Sequence, residues 1–265
     1  MIDGDRYRVT EAQREAFRRD GWVHLPRVVT EEELLGLERE FARFLAREIE
    51  VPGKDFCDMA GTYDRPIEEW AVVNVMLPGR YRPAWRGNVF ERRAASIAAQ
   101  LHGDDMRLDY DQLLAKPPRR EDGVFHWHQD QAYWPRTDDP RTATAWLAVD
   151  PSTRENGCMR FVSGSHREAA LRPHRPLHGD RETSHTLVAD VDEESDEVTY
   201  AELARGDATV HDERVLHGSG PNRSGGWRRA CVVAFRSAAT VARERELGFT
   251  HSHEDAPEVK DRVGD

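Results

Sequence analysis

Two residues, His128 and Asp130, stand two positions apart in a strand-like run and could together bind a metal ion. Alternate residues of a β-strand point to the same face, so both side chains can approach one ion while Gln129 faces away. Two imidazoles and one carboxylate that leave open positions form the site of non-haem Fe(II) oxygenases. The third ligand must then be a distant histidine. His217 is the best candidate, because it ends the strand-like run VHDERVLH just before a glycine-rich turn.

This spacing is weak support by itself, because a chain with 12 histidines is expected to contain a chance match. Two further histidines lie near the motif residues in sequence. His126 shares a strand face with His128, but as a fourth ligand it would close the position that O2 needs. His211 lies on the same predicted strand as His217, six residues earlier. At a rise of ~3.3 Å per residue it should be too far away to join the site.

The remaining histidines that draw attention have structural interpretations. His166, in the sequence GSH, is expected to make a structural hydrogen bond. His251, His253 and Glu254 lie in a polar, charged tail that we expect to be solvated and mobile from about residue 251.

Capping boxes predict two helices in the first 50 residues. Thr10-x-x-Gln13 opens the polar run EAQREAFRRD, and Thr30-x-x-Glu33 opens a second helix over about 31–48. Leucine and phenylalanine recur at helical spacing in the second helix, which indicates a buried face. The intervening WVHL predicts a strand.

From about residue 105 the sequence alternates short apolar runs with turn signals. The runs are RLDYDQLLAK, GVFHWHQD, TATAWLAVD, CMRFVSG, DATVHDERVLH and RRACVVAF. Many short strands at such spacing are typical of a double-sheet jelly roll or a barrel. We predict one domain over 1–265, with a helical N-terminal part over about 1–100 and a β core over about 105–240.

The composition argues against several classes of protein. A net charge of −11 argues against nucleic-acid binding, because phosphate contact needs a basic face. No run approaches the ~18 apolar residues of a membrane span, and MIDGDRYRVT has no apolar core of a signal peptide. Three scattered cysteines without a CxxC pair support neither a disulfide framework nor a cysteine zinc site. We therefore expect a reduced, cytoplasmic setting.

Four stretches, in order, resemble the phytanoyl-CoA dioxygenase family of Fe(II)- and 2-oxoglutarate-dependent oxygenases. They are FHWHQDQAYWP (125–135), AWLAVD (145–150), ENGCMRFVSGSHR (155–167) and LHGSGPNRSGGWRR (216–229). The N-terminal TEAQREAFRRDGWVHLPRVVTEEEL is also similar to the opening of that family. The resemblance implies a double-stranded β-helix, a cupin-like jelly roll with helices outside one sheet. It also implies Fe(II), with 2-oxoglutarate and O2 as co-substrates.

The resemblance carries the same three metal ligands and adds Arg228, eleven residues after His217, as the residue that binds the far carboxylate of 2-oxoglutarate. A guanidinium group suits a carboxylate because it can donate two parallel hydrogen bonds. The glycine-rich stretch 218–226 can turn between antiparallel strands and bring Arg228 back beside the metal. Ser219 shares a strand face with His217 and could donate a second hydrogen bond.

Other residues have weaker predicted roles. Trp146 takes the place of a family tryptophan that packs near the co-substrate, and Gln112 could bind the near end of that molecule. Arg229 should face away from the co-substrate and lie at the surface or in an ion pair. Tyr133 and Trp134 follow the metal motif and could line the substrate mouth or belong to the core.

A long polar segment over 172–200 interrupts the rhythm of the strands and includes DVDEESDE (190–197), which is expected to be a solvated loop. Loops of such length in a compact domain are usually functional or disordered. We expect this segment to lie over the open end of the jelly roll and to contribute to substrate selection.

The predicted reaction oxidises a C–H bond of a small molecule, and hydroxylation, ring closure, desaturation and epimerisation all stay open. Asp130 argues against halogenation, because halogenases of this type lack that carboxylate. Arginine makes up 35 of the 38 basic residues, which indicates a GC-rich source and favours a tailoring step in antibiotic biosynthesis. Acyl-CoA hydroxylation is the alternative within the family, although an acidic protein suits it less.

Two other classes stay open. A metal-dependent hydrolase could use the same His/Asp/His set with zinc, but it would not need Arg228. A non-catalytic cupin-like binding protein would keep the fold, but it should tolerate loss of a ligand. A small molecule is the expected partner in each case, with no nucleic acid and no membrane, and the oligomeric state is open.

Overall fold

The computed structural model, which describes residues 1–256 and residue 259, contains two large antiparallel β-sheets that face each other. In chain order the strands are β1 (Ile2–Asp3), β2 (Arg6–Tyr7), β3 (Trp22–Leu25), β4 (Phe56–Asp58), β5 (Val73–Met76), β6 (Met106–Lys116), β7 (Phe125–His128), β8 (Thr142–Ala148), β9 (Met159–Val162), β10 (His174–Pro176), β11 (Leu187–Ala189), β12 (Val198–Ala201), β13 (Ala208–His211), β14 (His217–Ser219) and β15 (Arg228–Ser237). The α-helices are α1 (Glu11–Asp20), α2 (Glu31–Leu45), α3 (Pro78–Tyr81), α4 (Val89–His102) and α5 (Ala238–Glu246). Short 3-10 helices span Gly53–Asp55, Ile67–Glu69, Pro83–Trp85, Asp130–Tyr133 and Ser165–Arg167.

The order of strands within each sheet differs from their order along the chain. The larger sheet runs β3-β13-β8-β15-β6-β5-β4, and the smaller sheet runs β12-β9-β14-β7. Two short pairs, β1-β2 and β10-β11, stand apart from them. Strands distant in sequence are therefore neighbours, which is the arrangement of a jelly roll.

Alternation along β8 and β15 separates the two faces of the larger sheet. Trp146 and Val232 point inward and pack against Met159 and Phe161 of the smaller sheet. The intervening residues, such as Leu147, point outward into the main hydrophobic core. Buried residues of α1, α2 and α4 fill that core, so these helices cover the outer face of the larger sheet, as predicted.

Both predicted capping boxes are present. The side chain of Thr10 accepts from the backbone N–H of Gln13, and that of Thr30 accepts from Glu33, with the reciprocal bonds also formed. Helix α4 was not predicted, although Asn88 before it accepts a hydrogen bond from Glu91 three residues later, a recognisable cap.

Two predictions about connections near the metal motif are wrong. The run VHDERVLH is not one strand, since β13 ends at His211, residues 212–216 turn, and β14 begins at His217 in the other sheet. Likewise β14 and β15 do not form a hairpin, because β15 pairs with β6 and β8 of the larger sheet. The glycine-rich stretch 218–226 thus carries the chain across from one sheet to the other.

The segment over 172–200 is not a structureless loop, because it forms β10, β11 and part of β12. Its acidic stretch 190–197 is mostly exposed, as expected. The three cysteines are buried and unpaired. No helix in the described part of the chain combines the length and apolar character needed to cross a membrane.

Candidate metal centre and co-substrate cavity

His128 and His217 sit directly opposite each other on neighbouring strands of the smaller sheet. His128 ends β7, His217 begins β14, and the two are paired in register. Asp130 begins the following 3-10 helix, so the chain turns as it leaves the strand. Oδ1 of Asp130 lies 3.5 Å from Nε2 of His128 and 3.5 Å from Nε2 of His217. The three predicted ligands converge, but through cross-strand pairing and a turn rather than through alternation along one strand.

Hydrogen bonds orient both imidazoles toward a metal. Nδ1 of His128 lies 2.8 Å from the backbone carbonyl oxygen of His126, and Nδ1 of His217 lies 3.0 Å from that of Val215. Each Nδ1–H therefore donates to a carbonyl, and each Nε2 keeps its lone pair. Such a bond on the other nitrogen is usual for histidines that bind metals.

The protonation states also suit metal binding. Burial alone would raise the pKa of Asp130, but the adjacent His217, His128 and His211 hold it well below its usual value. Burial and the neighbouring imidazole of His128 lower the pKa of His217 well below its usual value. A carboxylate and neutral imidazoles are the forms that bind metals. The donor atoms of His128, Asp130 and His217 all lie within 4.8 Å of one another, so the set fits an Fe(II) ion.

The expectation that His211 lies far from this centre is wrong. Its Nε2 is 3.3 Å from Oδ2 of Asp130, and its ring centroid is 4.4 Å from that of His217. The distance estimate failed because it assumed one continuous strand, whereas the chain crosses between the sheets after His211. His211 contacts the carboxylate oxygen that faces away from the other two histidines.

His126 and His166, the other two histidines considered in the sequence, have the structural contacts expected of them. His126 offers its backbone carbonyl to His128 and does not belong to the metal-binding group found among the described residues. Nε2 of His166 lies 3.2 Å from the carbonyl oxygen of Arg18, which is a structural contact.

A cavity of about 520 Å³, the inner lobe, extends from the triad between the two sheets. Its lining includes all four residues predicted to bind the co-substrate, namely Gln112, Trp146, Ser219 and Arg228. The guanidinium carbon of Arg228 lies 5.2 Å from the centre of the Trp146 ring. Nε2 of Gln112 donates to Oδ1 of Asn74 at 2.7 Å, so that side chain already has one partner.

Arg228 is only 2% exposed, and its Nε has no hydrogen-bond partner. Within the described part of the chain it forms no ion pair with a carboxylate, and burial lowers its pKa to about 10. A buried cation without a partner is costly, so this position favours an anionic ligand in the lobe. Arg229, by contrast, faces outward and binds Asp150 and Glu38, which confirms its predicted ion pair.

Sequence reasoning missed Lys116, which is completely buried beside this lobe. It pairs in register with Arg228 across β6 and β15, and its Nζ donates to Oγ of Ser219 at 2.6 Å and to the carbonyl of Gly220. Burial and the charge of Arg228 lower its pKa well below the usual value. The sequence does contain a pattern that points to Lys116. It lies an even number of positions after Gln112 on β6, so alternation puts both side chains on the same face of the strand.

A second cavity of about 570 Å³, the outer lobe, meets the inner lobe at the triad. Tyr133 and Trp134 line it and are also buried, so both roles considered for them are present. Arg181 and His185, from the segment over 172–200, line it as well.

The prediction of a solvated tail from residue 251 is wrong for residues 251–253, which are buried, and is confirmed for Glu254, which is exposed. His251 and His253 are 5% and 2% exposed, and both line the outer lobe. Nε2 of His251 lies 2.7 Å from Oδ2 of Asp109, a partner that no local pattern reveals. Residues 257, 258 and 260–265 of the predicted tail lie outside the described residues.

His251 also belongs to a second group with the spacing of metal ligands, together with Asp109 and Glu244. Here Arg245 donates to Asp109 at 2.5 Å, and Arg236 donates to Glu244. Two guanidinium groups already neutralise the two carboxylates, so this group is a buried ion-pair network rather than a metal site.

Comparison with known proteins finds that the similar sequences are dioxygenases. The family model for phytanoyl-CoA dioxygenase (PhyH) matches residues 17–230. A probable alpha-ketoglutarate-dependent hypophosphite dioxygenase of Stutzerimonas stutzeri is 30% identical over 164 residues, covering 61% of this chain. The match spans only 56% of that relative's length. The peroxisomal phytanoyl-CoA dioxygenase of Rattus norvegicus is 24% identical, with 85% of this chain and 68% of the relative covered.

Solved structures agree with the sequence comparison. EvdO2 from Micromonospora carbonacea var. aurantiaca, complexed with 2-oxoglutarate, is 32% identical with a TM-score of 0.69 and covers 88% of this chain and 92% of its own. The epimerase SnoN, in complex with Fe3+, alpha ketoglutarate and nogalamycin RO, is 25% identical with a TM-score of 0.67 and covers 86% and 83%. These comparisons confirm the predicted jelly-roll fold and the predicted cofactors, iron and 2-oxoglutarate.

Proposed function

The chain belongs to the phytanoyl-CoA dioxygenase family of Fe(II)- and 2-oxoglutarate-dependent oxygenases, and on that premise we propose that it oxidises a C–H bond of a small molecule in natural-product biosynthesis. The observation that carries the proposal is that one cavity, the inner lobe, is lined both by the His/Asp/His triad and by a buried arginine that has no carboxylate partner in the described chain. An iron site and an anion site in one cavity are what this reaction class requires.

In this proposal His128, Asp130 and His217 hold the metal. Two backbone carbonyls fix the two imidazole rings, and the strand pairing fixes the distance between them. The three ligands leave positions for a co-substrate and for O2. When bound, Fe(II) and 2-oxoglutarate supply O2 activation coupled to decarboxylation of 2-oxoglutarate to succinate and CO2.

Arg228 binds the far carboxylate of 2-oxoglutarate with two hydrogen bonds. Lys116 already donates to Oγ of Ser219, which leaves the hydroxyl hydrogen of Ser219 to donate to the same carboxylate. Trp146 packs beside the guanidinium and keeps water from it, which strengthens its attraction to an anion. Gln112 lines both lobes, so in this proposal it contacts the other end of the co-substrate.

The natural-product role draws on SnoN, whose complex contains nogalamycin RO, and on the arginine-rich composition. Tailoring enzymes act on compact organic molecules, and the outer lobe, which meets the inner lobe at the triad, is where such a substrate would bind in this proposal. The carboxylate of Asp130 occupies the position that a halogenase would keep open for halide, so the proposed outcome is C–H oxidation without halogenation.

Uncoupled turnover tests this function without knowledge of the substrate. Purified protein with Fe(II), 2-oxoglutarate and O2 should form succinate slowly, and the Asp130→Ala variant should form none above background. Succinate formation that is equal in the two proteins would overturn the assignment. A metal-dependent hydrolase would form no succinate, and it would have no use for a buried Arg228.

A further inference from the structure

Strands β10 and β11 form a hairpin over residues 174–189 that belongs to neither main sheet. The connection between the two strands carries Arg181 and His185, which line the outer lobe. A strand inside a larger sheet takes its position from backbone hydrogen bonds to the strands on both sides. In the described part of the chain this hairpin has no third strand beside it, so other contacts fix its place relative to the triad.

Gln129, the residue between the proposed metal ligands His128 and Asp130, holds the start of the hairpin. It is fully buried, and Oε1 of its side chain accepts from the backbone N–H of Arg172 at 2.9 Å. Its own backbone N–H donates to Nε2 of His174 at 3.0 Å. Its Nε2 donates at 2.6 Å to the backbone carbonyl of residue 214, in the crossing between the sheets. Both ends of this side chain and the backbone N–H therefore bind other segments.

The ring of His174 is in the form that this contact needs. Burial lowers its pKa to about 4, so the imidazole is neutral near neutral pH. Its Nδ1 lies 2.7 Å from the backbone carbonyl oxygen of Arg172 and therefore carries the proton. Nε2 is then the nitrogen that accepts from the backbone N–H of Gln129.

Tyr133, three residues after Asp130, holds the other strand of the hairpin. Its hydroxyl accepts from the backbone N–H of Leu187, the first residue of β11, at 2.8 Å. Its ring stacks on the ring of His185, with centroids 5.0 Å apart and planes at 12°. The guanidinium carbon of Arg181 lies 5.5 Å from the centre of the Tyr133 ring. Both residues through which the hairpin lines the outer lobe thus contact Tyr133.

A third attachment, near the tip of the hairpin, does not involve the metal motif. Oγ1 of Thr186 donates to the backbone carbonyl of Met59 at 2.5 Å, and the backbone carbonyl of Thr183 accepts from the N–H of Tyr63 at 3.0 Å. The hairpin is therefore expected to stay folded when one bond to the motif is removed. The loss of such a bond changes how firmly the base of the hairpin is held.

We propose that Gln129 and Tyr133 are positioning residues, through which the metal motif 128–133 sets the place of the β10-β11 hairpin and so completes the outer lobe. The proposal deepens the proposed function and rests on it, since a bound metal is what fixes the motif. His128 and Asp130 stand on either side of Gln129, so a metal that binds both restricts the backbone of Gln129. The hairpin then has less conformational freedom left to lose, and metal binding orders the wall that the substrate meets.

Hydrogen exchange with and without metal tests this coupling. The protein is loaded with 2-oxoglutarate and with Zn(II), which has no redox chemistry, and exchange of the backbone amides of β10 and β11 is followed by mass spectrometry. Loading should slow this exchange about fivefold or more, the lower end of the range usual for coupled sites. The pair β1-β2 is the internal control, because it also stands apart from the main sheets and lines neither lobe. No slowing in the hairpin, or equal slowing in β1-β2, overturns the proposal.

Variants separate the two attachments. Gln129→Met removes both side-chain bonds at similar volume and should reduce the metal-dependent slowing most in β10. Tyr133→Phe keeps the stacked ring and removes only the bond to Leu187, so it should reduce the slowing most in β11. The amides of Arg172 and Leu187 are left out of the comparison, because these variants remove their acceptors directly. Full metal-dependent slowing in both variants would show that the motif does not position the hairpin.

Two further variants test whether direct damage to the metal site explains these results. His174→Leu removes the acceptor of the Gln129 N–H from the hairpin side, and it should reproduce the Gln129→Met result with the motif unchanged. Gln100→Met is the matched control, because the side chain of Gln100 also binds backbone groups of another segment, at Tyr7 and Val9. It should loosen β2 and leave the slowing in the hairpin intact. Unchanged slowing in His174→Leu, or lost slowing in Gln100→Met, contradicts the proposal.

The dissociation constants of Zn(II) and 2-oxoglutarate, measured on the same samples, separate this inference from the proposed function. If both ligands bind to the wild type but exchange in the hairpin does not change, the proposed function stands and this inference fails. If neither ligand binds to the wild type, the proposed function itself fails.

Discussion

Nε2 of His211 lies 3.3 Å from Oδ2 of Asp130, whereas Oδ1 of the same carboxylate faces the other two histidines of the site. The two oxygens of Asp130 therefore have different neighbours. A hydrogen bond from His211 holds Oδ2 away from the metal position, so we expect Asp130 to bind the metal through Oδ1 alone. One-oxygen binding leaves a coordination position open for O2.

His211→Asn should weaken metal binding without abolishing it. Residues that orient a metal ligand typically contribute about 10–100-fold in metal affinity or activity, and we expect the lower end of that range here. The measurement is the Zn(II) or Fe(II) dissociation constant of the variant, without O2.

His166→Asn is the control, because His166 contacts the backbone of Arg18 and not the metal site. Unchanged metal affinity in His211→Asn would show that the contact with Asp130 does not position the ligand. A loss as complete as that of Asp130→Ala would instead make His211 a ligand.

Arg228→Ala should weaken 2-oxoglutarate binding by about two to three orders of magnitude. Losing one member of a buried charge pair costs roughly 3–5 kcal/mol, and each ~1.4 kcal/mol is tenfold in affinity. Fe(II) affinity should change little, because Arg228 is not one of the metal donors. Arg228→Lys should recover only part of the loss. The measurement is the 2-oxoglutarate dissociation constant with Fe(II) saturating and O2 absent.

Arg229→Ala is the matched control for that experiment. Its guanidinium binds Asp150 and Glu38 on the outer side of the sheet, so its loss should lower stability and leave 2-oxoglutarate affinity nearly unchanged. A large loss of affinity in Arg229→Ala with a small one in Arg228→Ala would contradict the assignment that Arg228, and not Arg229, points from β15 into the inner lobe.

Lys116→Met should weaken 2-oxoglutarate binding about tenfold, the loss expected when one charged hydrogen bond is removed. Methionine fills a similar volume but cannot donate to Ser219, so the hydroxyl of Ser219 would lose its orientation. Lys54→Met, at a partly exposed lysine that pairs with Glu182, is the control. Calorimetric titration of 2-oxoglutarate into both variants makes the comparison. Equal 2-oxoglutarate affinities in Lys116→Met and Lys54→Met would show that Lys116 does not contribute to 2-oxoglutarate binding.

Glu213 should make stability depend on pH near neutrality. It is fully buried, it accepts from Oγ1 of Thr142 at 2.7 Å, and burial raises its pKa from 4.5 to about 7. A raised pKa stabilises the fold at low pH, and this contribution is lost as the pH rises through 7. From pH 5 to pH 8 the wild type should therefore lose roughly 2–3 kcal/mol relative to Glu213→Gln, at about 1.4 kcal/mol per pKa unit. Urea unfolding of both proteins measures this difference, and parallel pH profiles would contradict it.

Local patterns were sufficient to predict most strands of the β core and the first two helices. The family resemblance placed Trp146 near the co-substrate, and capping residues placed the start of α1. The spacing of His128 and Asp130 also identified the metal candidates, because ligands close in sequence must be close in space. These features depend on interactions over a few residues.

The errors arose where a side chain depends on a distant partner. His251 looks solvated in sequence because its neighbours are polar, yet Asp109, 142 positions away, holds it inside. His211 looked remote because no local signal marks the crossing between sheets over 212–216. Alternation along β6 puts Lys116 on the same face as Gln112, but its burial depends on contact with Ser219, 103 positions away. Such positions are fixed by topology, which local sequence patterns do not reveal.

Anaerobic titration of the protein with Fe(II) and 2-oxoglutarate tests the central claim most directly. Chelation of the metal by 2-oxoglutarate gives a weak charge-transfer band in the visible spectrum. The account predicts that this band appears in the wild type only when both components are present. It should be absent in Asp130→Ala, and it should require far more 2-oxoglutarate in Arg228→Ala. A wild-type protein that binds Fe(II) but gives no band at any 2-oxoglutarate concentration would contradict the account.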